Sequence, residues 1–425
     1  MGNIKTVNTS HCRSRKFATM RLLVLAALLT QTVVCSDNSI SCHATNSCQC
    51  DNNVMGRLDL WCPGPSPRVK LHAALEPGNM LSFQCFSMTW LDYNMLSGLH
   101  VGPIPRVSFM FCPLPNVPLY QMLESVGASS VESLLIEHSN LSDTLESSFL
   151  AGLNNLTSLT LHSNGITTLP VDVFREMHVL QYLDMKNNAL HLPLHVFDPL
   201  SNLLTLELGG NQMRTLEAGT FHNLSQLYRL NLWGNNLQNL TQDVFAGLSS
   251  LQFLDLSSNK LKSISADLFA NMPQLRELSL PNNNFTSLPE GLFSFTKDLT
   301  KIGLYNNNEQ LQDVPPRLLA NLTSLLEVYL SLCGITHLPE DIFWGSSAIT
   351  NISLNGNLLT SLPADMFRDT VRLRNLRLGN NRIQSLPDGI FSRLGNLLVL
   401  ELDHNRLTNI SRWVTKISHI HISSN

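Results

Sequence analysis

The chain has 425 residues, a formal net charge of −4, and only 14% charged residues against 43% hydrophobic ones. Proteins that bind nucleic acid are expected to carry a basic face, so this charge balance gives no support for nucleic acid as a partner. An ordinary globular chain of this length would form about three domains. That expectation does not apply to a chain built of stacked repeats, which has one continuous core.

The first predicted element is a signal peptide at residues 1–36. Four basic residues at positions 13, 15, 16 and 21 precede an apolar run over residues 22–34. A basic segment followed by a short apolar run is typical of a secretory signal, whereas a membrane-spanning helix needs about 20 apolar residues. We therefore expect an extracellular or cell-surface protein; an uncleaved N-terminal anchor is the less favoured alternative.

A cysteine-rich N-terminal cap is predicted at residues 37–130. An even set of cysteines in a secreted, loop-rich segment indicates disulfides. The six cysteines, which predict three disulfides of undetermined pairing, are Cys42, Cys48, Cys50, Cys62, Cys85 and Cys112. A zinc site at Cys48-Gln-Cys50 is the alternative, but no second pair with metal-ligand spacing follows. We predict no metal ligands and no cofactor.

Twelve leucine-rich repeats are predicted over residues 131–416. The clearest copies are LQFLDLSSNKL at residues 251–261, LRELSLPNNNF at 275–285 and LRNLRLGNNRI at 373–383. All fit L-x-x-L-x-L-x-x-N-x-L. One copy cannot bury its apolar side alone, but stacked copies can. The predicted fold is therefore an α/β solenoid: a leucine-rich-repeat horseshoe with a parallel sheet on its concave side and a disulfide-rich N-terminal cap.

Two columns of the repeat are expected to be structural. The ninth position is Asn in ten copies, and Ser139 and Cys333 replace it in the first and ninth repeats. A buried amide there can bond backbone groups of its own turn and of the neighbouring turn. Cys333 could instead be a free thiol or an intermolecular bridge. The second column is a Phe on the convex side, with Leu319 in the eighth repeat, where two extra residues after Asn307 predict a bulged loop.

The last segment, residues 417–425, fits the strand of a thirteenth repeat and stops at its ninth position, Asn425. A solenoid needs both ends covered. We therefore interpret the chain as a fragment or truncated form of a longer protein, with a short soluble isoform as the alternative.

Four cap segments and two repeat segments are more specific than the repeat itself. They are CHATNSCQC, LDLWCP, LSFQC and PRVSFMFCPLP in the cap, LYRLNLWGNNLQNLTQDVF at residues 227–245 and ITNISLNGNLLTSLPADMF at 349–367. These segments resemble the insect Toll receptors. The likeness covers essentially the whole mature chain. It implies the N-terminal part of a receptor that recognises a Spätzle-type cystine-knot cytokine on its cap and concave face, in innate immunity, development or both. It also implies a second receptor chain on activation, and membrane attachment only through a C-terminal region beyond this sequence.

Two alternatives from other classes are a secreted leucine-rich-repeat adhesion or matrix protein and a soluble decoy that sequesters the cytokine. An enzyme is not supported, because the sequence lacks H-E-x-x-H, G-x-S-x-G and a Gly-rich phosphate loop. His138, His162 and His404 fall at surface positions of their repeats, and Glu340 and Asp341 lie on a convex loop. We therefore predict no catalytic residues.

Candidate ligand-binding residues follow from their positions in the repeat. The third, fifth, seventh and eighth positions are expected to point out of the concave face. Aromatic and Arg side chains are over-represented at binding hot spots, and acidic residues suit a ligand with basic groups. The candidates are Tyr182, Arg229, Trp233, Phe253, Tyr305 and Tyr329, with Asp184, Glu207 and Asp255 as an acidic patch. The alternative is that these side chains merely cover the sheet.

Sequons for N-linked glycans are frequent, and in a secreted chain several are expected to be used. They lie at Asn140, Asn155, Asn223, Asn239, Asn284, Asn321, Asn351 and Asn409. Asn351 occupies the third position of the tenth repeat, so a glycan there would cover part of the concave face. The ligand footprint is therefore expected on the N-terminal side of Asn351.

Overall fold

A computed structural model describes most of the repeat region and part of the cap. The described residues are 41–42, 49–52, 58–63, 70–76, 79–86, 99–100, 103–114, 118–128, 130–142, 145–307, 310–408 and 419–421. The predicted signal peptide, the extra residues after Asn307 and the sequon at Asn409 lie outside these ranges. The predicted domain boundaries therefore remain predictions.

The dominant feature is one long sheet that runs through the cap and the repeats. Its cap strands are β2 (Gln49–Asn52), β3 (Leu58–Pro63), β4 (Lys70–Glu76), β5 (Met80–Phe86) and β7 (Arg106–Met110), while the short strands β1 (Ser41–Cys42) and β6 (Leu99–His100) pair with each other apart from it. A helix, α1 (Leu119–Ser125), follows β7. The pairs β2–β3, β3–β4 and β4–β5 are antiparallel, and the pairing becomes parallel from β5–β7 onward.

Each repeat then adds one short strand. These strands are β8 (Ser133–Glu137), β9 (Ser158–Thr160), β10 (Tyr182–Asp184), β11 (Thr205–Glu207), β12 (Arg229–Asn231), β13 (Phe253–Asp255), β14 (Glu277–Ser279), β15 (Lys301–Gly303), β16 (Glu327–Tyr329), β17 (Asn351–Ser353), β18 (Asn375–Arg377), β19 (Val399–Glu401) and β20 (His419–His421). Each pairs in parallel with the next. The predicted solenoid with a parallel concave sheet is confirmed.

The register of the sheet keeps equivalent repeat positions side by side. Between β12 and β13, Arg229 lies opposite Phe253, Leu230 opposite Leu254, and Asn231 opposite Asp255. The middle residue of each such strand points inward, as Leu230 does with no exposed surface. Because successive side chains alternate between faces, its two neighbours point out of the concave side. Positions three and five of the repeats therefore form continuous rows across the surface.

The ninth-position Asn residues form a buried hydrogen-bond ladder. Asn259 is representative: its Nδ2 donates to Leu232 O and Leu256 O, each at 3.0 Å, and its Oδ1 accepts from Leu237 N at 3.1 Å. One amide thus satisfies backbone groups of two adjacent coils, and these groups would be costly to leave unpaired when buried. The predicted structural role of this column is confirmed.

The two substitutions in the ladder are accommodated differently. Ser139 accepts a hydrogen bond from Cys112 N at 3.2 Å and donates to Glu137 O at 2.9 Å. It thus continues the ladder into the cap. Cys333 is buried and not disulfide-bonded, and its thiol approaches Leu304 O at 3.1 Å. It therefore has the structural role predicted for it, and burial raises its pKa to about 12.

The cap and the convex side complete the core. Cys85 and Cys112 form a disulfide beside the first coils; this is one of the three disulfides expected in the cap, whose pairing the sequence left open. The side chains of Cys42, Cys48, Cys50 and Cys62 lie outside the described part of the chain. On the convex side the Phe column is buried and stacked, with ring centroids 6.2 Å apart between Phe197 and Phe221. Of the residues described, none belongs to a helix long and apolar enough to cross a bilayer.

Candidate ligand-binding surface

A hollow at the centre of the concave face is formed by strands β12 to β16. Along the fifth position of these strands the residues are Asn231, Asp255, Ser279, Gly303 and Tyr329. The side chain becomes small at Ser279 and disappears at Gly303, so the sheet surface is left uncovered there. The resulting hollow encloses roughly 520 Å³. We call it the central hollow; its walls are Arg229, Phe253, Asp255, Glu277, Lys301, Tyr305 and Tyr329.

The N-terminal wall of the central hollow is an arginine–aromatic cluster. The Arg229 guanidinium lies 4.4 Å from the centre of the Phe253 ring, a cation–π distance. The Tyr228 ring packs against the same Phe253 at 4.8 Å between centroids. Arg229 and Phe253 are opposite each other in the β12–β13 register. Both residues occupy the third position of their repeats, so the parallel register makes their side chains neighbours.

The opposite wall combines a tyrosine with two charges. Tyr329 donates a hydrogen bond to Glu327 Oε2 at 2.9 Å, and Lys301 Nζ lies 5.9 Å from the centre of the Tyr329 ring. Burial, followed by the hydrogen bond to Glu327, raises the pKa of Tyr329. Lys301 is also 3.9 Å from Glu327 Oε2, so cation, anion and aromatic ring meet within one small area.

Trp233 and Tyr305 stand at the margin of the concave face. Trp233 is 38% exposed and Tyr305 is 42% exposed. Exposed aromatic side chains of this size are enriched at binding interfaces. The Trp233 indole lies so close to Gly209 that any Cβ at position 209 would overlap it. Gly209 thus provides the flat surface on which the indole rests, and Trp233 is held in place before any ligand arrives.

The predicted acidic patch is less exposed than the sequence suggests. Asp184 and Glu207 face each other between β10 and β11, but they are only 5% and 9% exposed. Asp184 pairs with Lys186 Nζ at 3.1 Å, and Glu207 accepts from Asn231 Nδ2 at 2.7 Å.

Tyr182 lies in the same partly buried group. It donates to Asp184 Oδ2 at 3.3 Å. Burial raises its pKa to about 12, with further contributions from the charges of Asp184 and Glu207. Of the three predicted acids, Asp255 alone lines the central hollow.

A second aromatic surface lies on the cap and the first repeats, and the sequence analysis did not identify it. We call it the cap stripe; it consists of Trp61, Phe86, Phe111, His138 and His162. Trp61 stacks on Phe86 with centroids 6.2 Å apart, and Phe111 stacks on His138 at 5.0 Å. Trp61, Phe86 and Phe111 are 39%, 39% and 51% exposed. The sequence contains one indication of this surface. His138 lies at the eighth position of the first repeat, and this position aligns with Phe111 in the preceding coil.

Phe111 occupies a turn position with a left-handed backbone. Its φ is 56°, which is uncommon for a bulky residue. The equivalent turn position of the repeats also has positive φ, at Gly234 and Ser258 as well as at His138 and Leu332, so the coil geometry imposes this conformation. At the end of the stripe, His162 contacts Glu137 Oε1 at 2.6 Å, so it is bonded to protein rather than simply solvated.

Most described sequons are accessible. The Asn side chain is exposed at Asn140, Asn155, Asn223, Asn239 and Asn321, and partly exposed at Asn284 and Asn351. Asn351 lies on the concave strand β17 and accepts a hydrogen bond from Asn375 Nδ2 at 2.8 Å. The position predicted for it on the concave face is therefore confirmed; its glycosylation stays a prediction.

Comparison with known proteins agrees with this architecture. The family model for the leucine rich repeat matches residues 129–190, 225–285, 273–333, 323–383 and 371–425. The chain belongs to the leucine-rich repeat family. It is also homologous to Protein toll of Drosophila melanogaster, with 34% identity over 182 residues, which is 42% of this chain and 16% of that protein.

Solved structures extend the similarity to Toll. In the glycosylated Toll–Spätzle complex from Drosophila, described as a hub in development and innate immunity, a chain matches with a TM-score of 0.76 and 33% identity. The match covers 87% of this chain and 50% of that one, so the present chain spans about half the length of the Toll structure. An internalin from Listeria monocytogenes matches at 22% identity, with a TM-score of 0.54, over 71% of this chain and 82% of its own. That likeness concerns the fold alone.

Proposed function

We propose that this chain is the ligand-sensing N-terminal part of a Toll-type receptor and binds a Spätzle-like cystine-knot cytokine. The cap stripe and the central hollow are the proposed contact surfaces. The observation that carries the proposal is the Arg229–Phe253 pair, a guanidinium 4.4 Å from an aromatic ring on the exposed concave face. Similarity to a Toll chain in complex with Spätzle over 87% of this chain supports the same function.

The physical basis is preorganisation. Trp233 rests on Gly209, Arg229 on Phe253, and Tyr329 is bonded to Glu327. Side chains held in place before binding lose less conformational entropy when the complex forms. The hollow also presents cations, anions and aromatic rings together, which suits a protein ligand with mixed charges rather than a uniformly basic one.

The proposal places the chain outside the cell, where a processed cytokine is available, and assigns it a role in innate immunity, development or both. A second receptor chain would join on activation. The geometry of the described residues supports protein binding, and an adhesive matrix role or a soluble decoy role would use the same surfaces with different partners or outcomes.

The test is the affinity of the secreted chain for processed Spätzle-type cytokines, measured by surface plasmon resonance. Arg229→Ala combined with Phe253→Ala should lower the affinity at least about 30-fold, as loss of a hot spot does. Trp233→Ala should lower it about 10-fold. Arg377→Ala is the matched control, because Arg377 also lies on the concave face, at the last residue of β18, but pairs with Glu401 outside the hollow.

The outcomes separate placement from function. If the double variant binds as well as the unaltered chain, the central hollow is not the contact surface. If the unaltered chain binds no cytokine of this class but does bind a component of the extracellular matrix, the receptor function is contradicted and the adhesive alternative is favoured.

A further inference from the structure

Three potential metal ligands converge on the convex side, away from both proposed contact surfaces. They are His195 and Asp198 of the third repeat and His222 of the fourth. His195 Nδ1 lies 3.1 Å from Asp198 Oδ2, and His222 Nδ1 lies 3.6 Å from Asp198 Oδ1. One ligand atom from each residue falls within 4.8 Å of the other two. Residues 195 and 222 are far apart in sequence, so only the stacking of coils brings them together.

The core beneath the cluster fixes its spacing. Phe197 lies between His195 and Asp198 in sequence, and Phe221 directly precedes His222. Both rings are buried, and their centroids are 6.2 Å apart. The Asp198 backbone N–H also donates to His195 O at 3.1 Å, which closes the turn. The three ligands therefore project from a rigid surface rather than from loose loops.

The backbone at His195 is left-handed. Its φ is 68°, in the region that costs a non-Gly residue about 1–2 kcal/mol. The equivalent position, two residues before the buried Phe or Leu, also has positive φ in four other repeats, at Gly219, Gly291, Gly389 and Arg317. Here a histidine stands where glycine is favoured, and the strained conformation aims its ring nitrogen at Asp198. Strain of this kind is common at ligand sites.

The distances suit a tetrahedral ion of the zinc class. Zinc binds His nitrogen and Asp oxygen at about 2.0–2.2 Å, which places neighbouring ligand atoms roughly 3.3 Å apart. The observed separations of 3.1 and 3.6 Å lie on either side of this value. His222 Nδ1 also lies 2.8 Å from Gly219 O. In the metal-free chain Gly219 O accepts the Nδ1–H of His222. An ion bound at Nδ1 would replace that hydrogen bond and take the place of its proton.

We propose that His195, Asp198 and His222 bind a divalent transition-metal ion, zinc above all. Two imidazoles and one carboxylate favour zinc over calcium or magnesium, which prefer oxygen ligands. Three protein ligands leave a coordination position for water or an external group. The ion would join the third and fourth coils on the convex edge, and would stabilise the folded chain because the unfolded chain lacks the assembled site. Cys333 does not compete, since it is buried.

The sequon at Asn223 directly follows His222, and Asn223 Nδ2 approaches Asp198 O at 3.4 Å. A glycan at Asn223 would lie beside the ion, so the test needs protein with and without it. Ser225→Ala removes the sequon while leaving the Asn223 amide in place. Both forms are expected to bind zinc if the site is independent of the glycan, and Ser225→Ala alone if the glycan blocks access.

The experiment is isothermal titration calorimetry of the untagged, chelator-treated chain and its Ser225→Ala form with zinc chloride. We expect one ion bound per chain, no comparable binding of calcium or magnesium, and a rise in the thermal unfolding midpoint with zinc. His222→Gln and Asp198→Asn should each lower zinc affinity at least 10-fold and abolish that rise. The matched control is His404→Gln, which alters a histidine with a single carboxylate partner, Asp403, at 2.9 Å and should leave zinc binding unchanged.

Cobalt(II) provides a second measurement that does not depend on stability. The visible absorption of the bound cobalt should indicate four- or five-coordination with nitrogen and oxygen ligands and should disappear in His222→Gln. Circular dichroism of each metal-free variant establishes that it is folded. Failure of both glycan forms to bind zinc, or equal zinc affinity of the unaltered chain and His222→Gln, would overturn the proposal.

Discussion

The central coils and the coils of the tenth and eleventh repeats share an interior but differ on their concave surfaces. In both regions a buried Asn donates to backbone carbonyls of two coils, as Asn259 does to Leu232 O and Asn381 does to Leu354 O, each at 3.0 Å. On the concave surface the third position is the aromatic Phe253 in the central coils, whereas in the tenth and eleventh repeats it is the polar pair Asn351 and Asn375. The interior is therefore constrained by stacking alone, while the surface is free to specialise.

This contrast predicts that interior truncations are equally harmful in both regions. Phe245 and Phe367 are buried, and each stacks on the preceding Phe at 6.3 Å between centroids. Phe245→Ala and Phe367→Ala should each destabilise the chain by about 3–5 kcal/mol, since each leaves a cavity of ring size. Chemical denaturation followed by circular dichroism measures both. A loss confined to one of the two variants would contradict the shared interior.

The ladder allows a comparison between two of the central coils. Asn259→Ala leaves at least three backbone groups without their partner and should cost roughly 2–4 kcal/mol. Asn307→Ala should cost about 1–2 kcal/mol. The Asn307 amide donates to Leu304 O, but its Oδ1 is buried without a hydrogen-bond partner in the part of the chain that the structure describes. Equal losses in the two variants, measured by the same denaturation assay, would show that the unpaired oxygen has no energetic consequence.

Cys333, the ladder residue of the ninth repeat, gives a pH-dependent prediction. Burial raises its pKa from 9.0 to about 12. Between these values the unfolded chain releases the thiol proton while the folded chain keeps it. The stability contribution present below pH 9 is therefore lost as the pH rises toward 12. Thermal unfolding midpoints should fall less steeply over that range in Cys333→Ala than in the unaltered chain. At neutral pH the thiol should resist alkylation until denaturant is added, and rapid alkylation of folded protein would contradict its burial.

Sequence periodicity could predict the interior almost completely. A ladder Asn or a convex Phe recurs in nearly every repeat because each coil must solve the same packing problem. The neighbour relation of Arg229 and Phe253 could also be predicted, because a parallel register without slippage places equal repeat positions opposite each other.

Other features of the surface could not be predicted in this way. The burial of Asp184 depends on Lys186, two residues further along and outside the strand. The cap stripe depends on Trp61 and Phe86, which lie in antiparallel cap strands with no repeat pattern to place them. The convergence of His195 and His222 depends on how two adjacent coils stack on the convex side, which the repeat consensus does not specify.

The smallest expected effect concerns the margin of the binding surface. Asn351 lies on β17, next to β16, whose Tyr329 forms part of the hollow. A glycan at Asn351 would cover the polar coils that follow. Asn351→Gln removes it, and we expect less than about a twofold change in cytokine affinity, because the proposed footprint lies on the N-terminal side.

Two outcomes would revise that boundary. An affinity gain of tenfold or more on removing the Asn351 glycan would show that the ligand also reaches the polar coils, where the sugar had obstructed it. A comparable loss would show that the sugar itself contacts the ligand. The exposed sequon at Asn239 is the control, because Asn239→Gln removes a glycan outside the concave strands and should leave both affinity and its dependence on Arg229 unaltered.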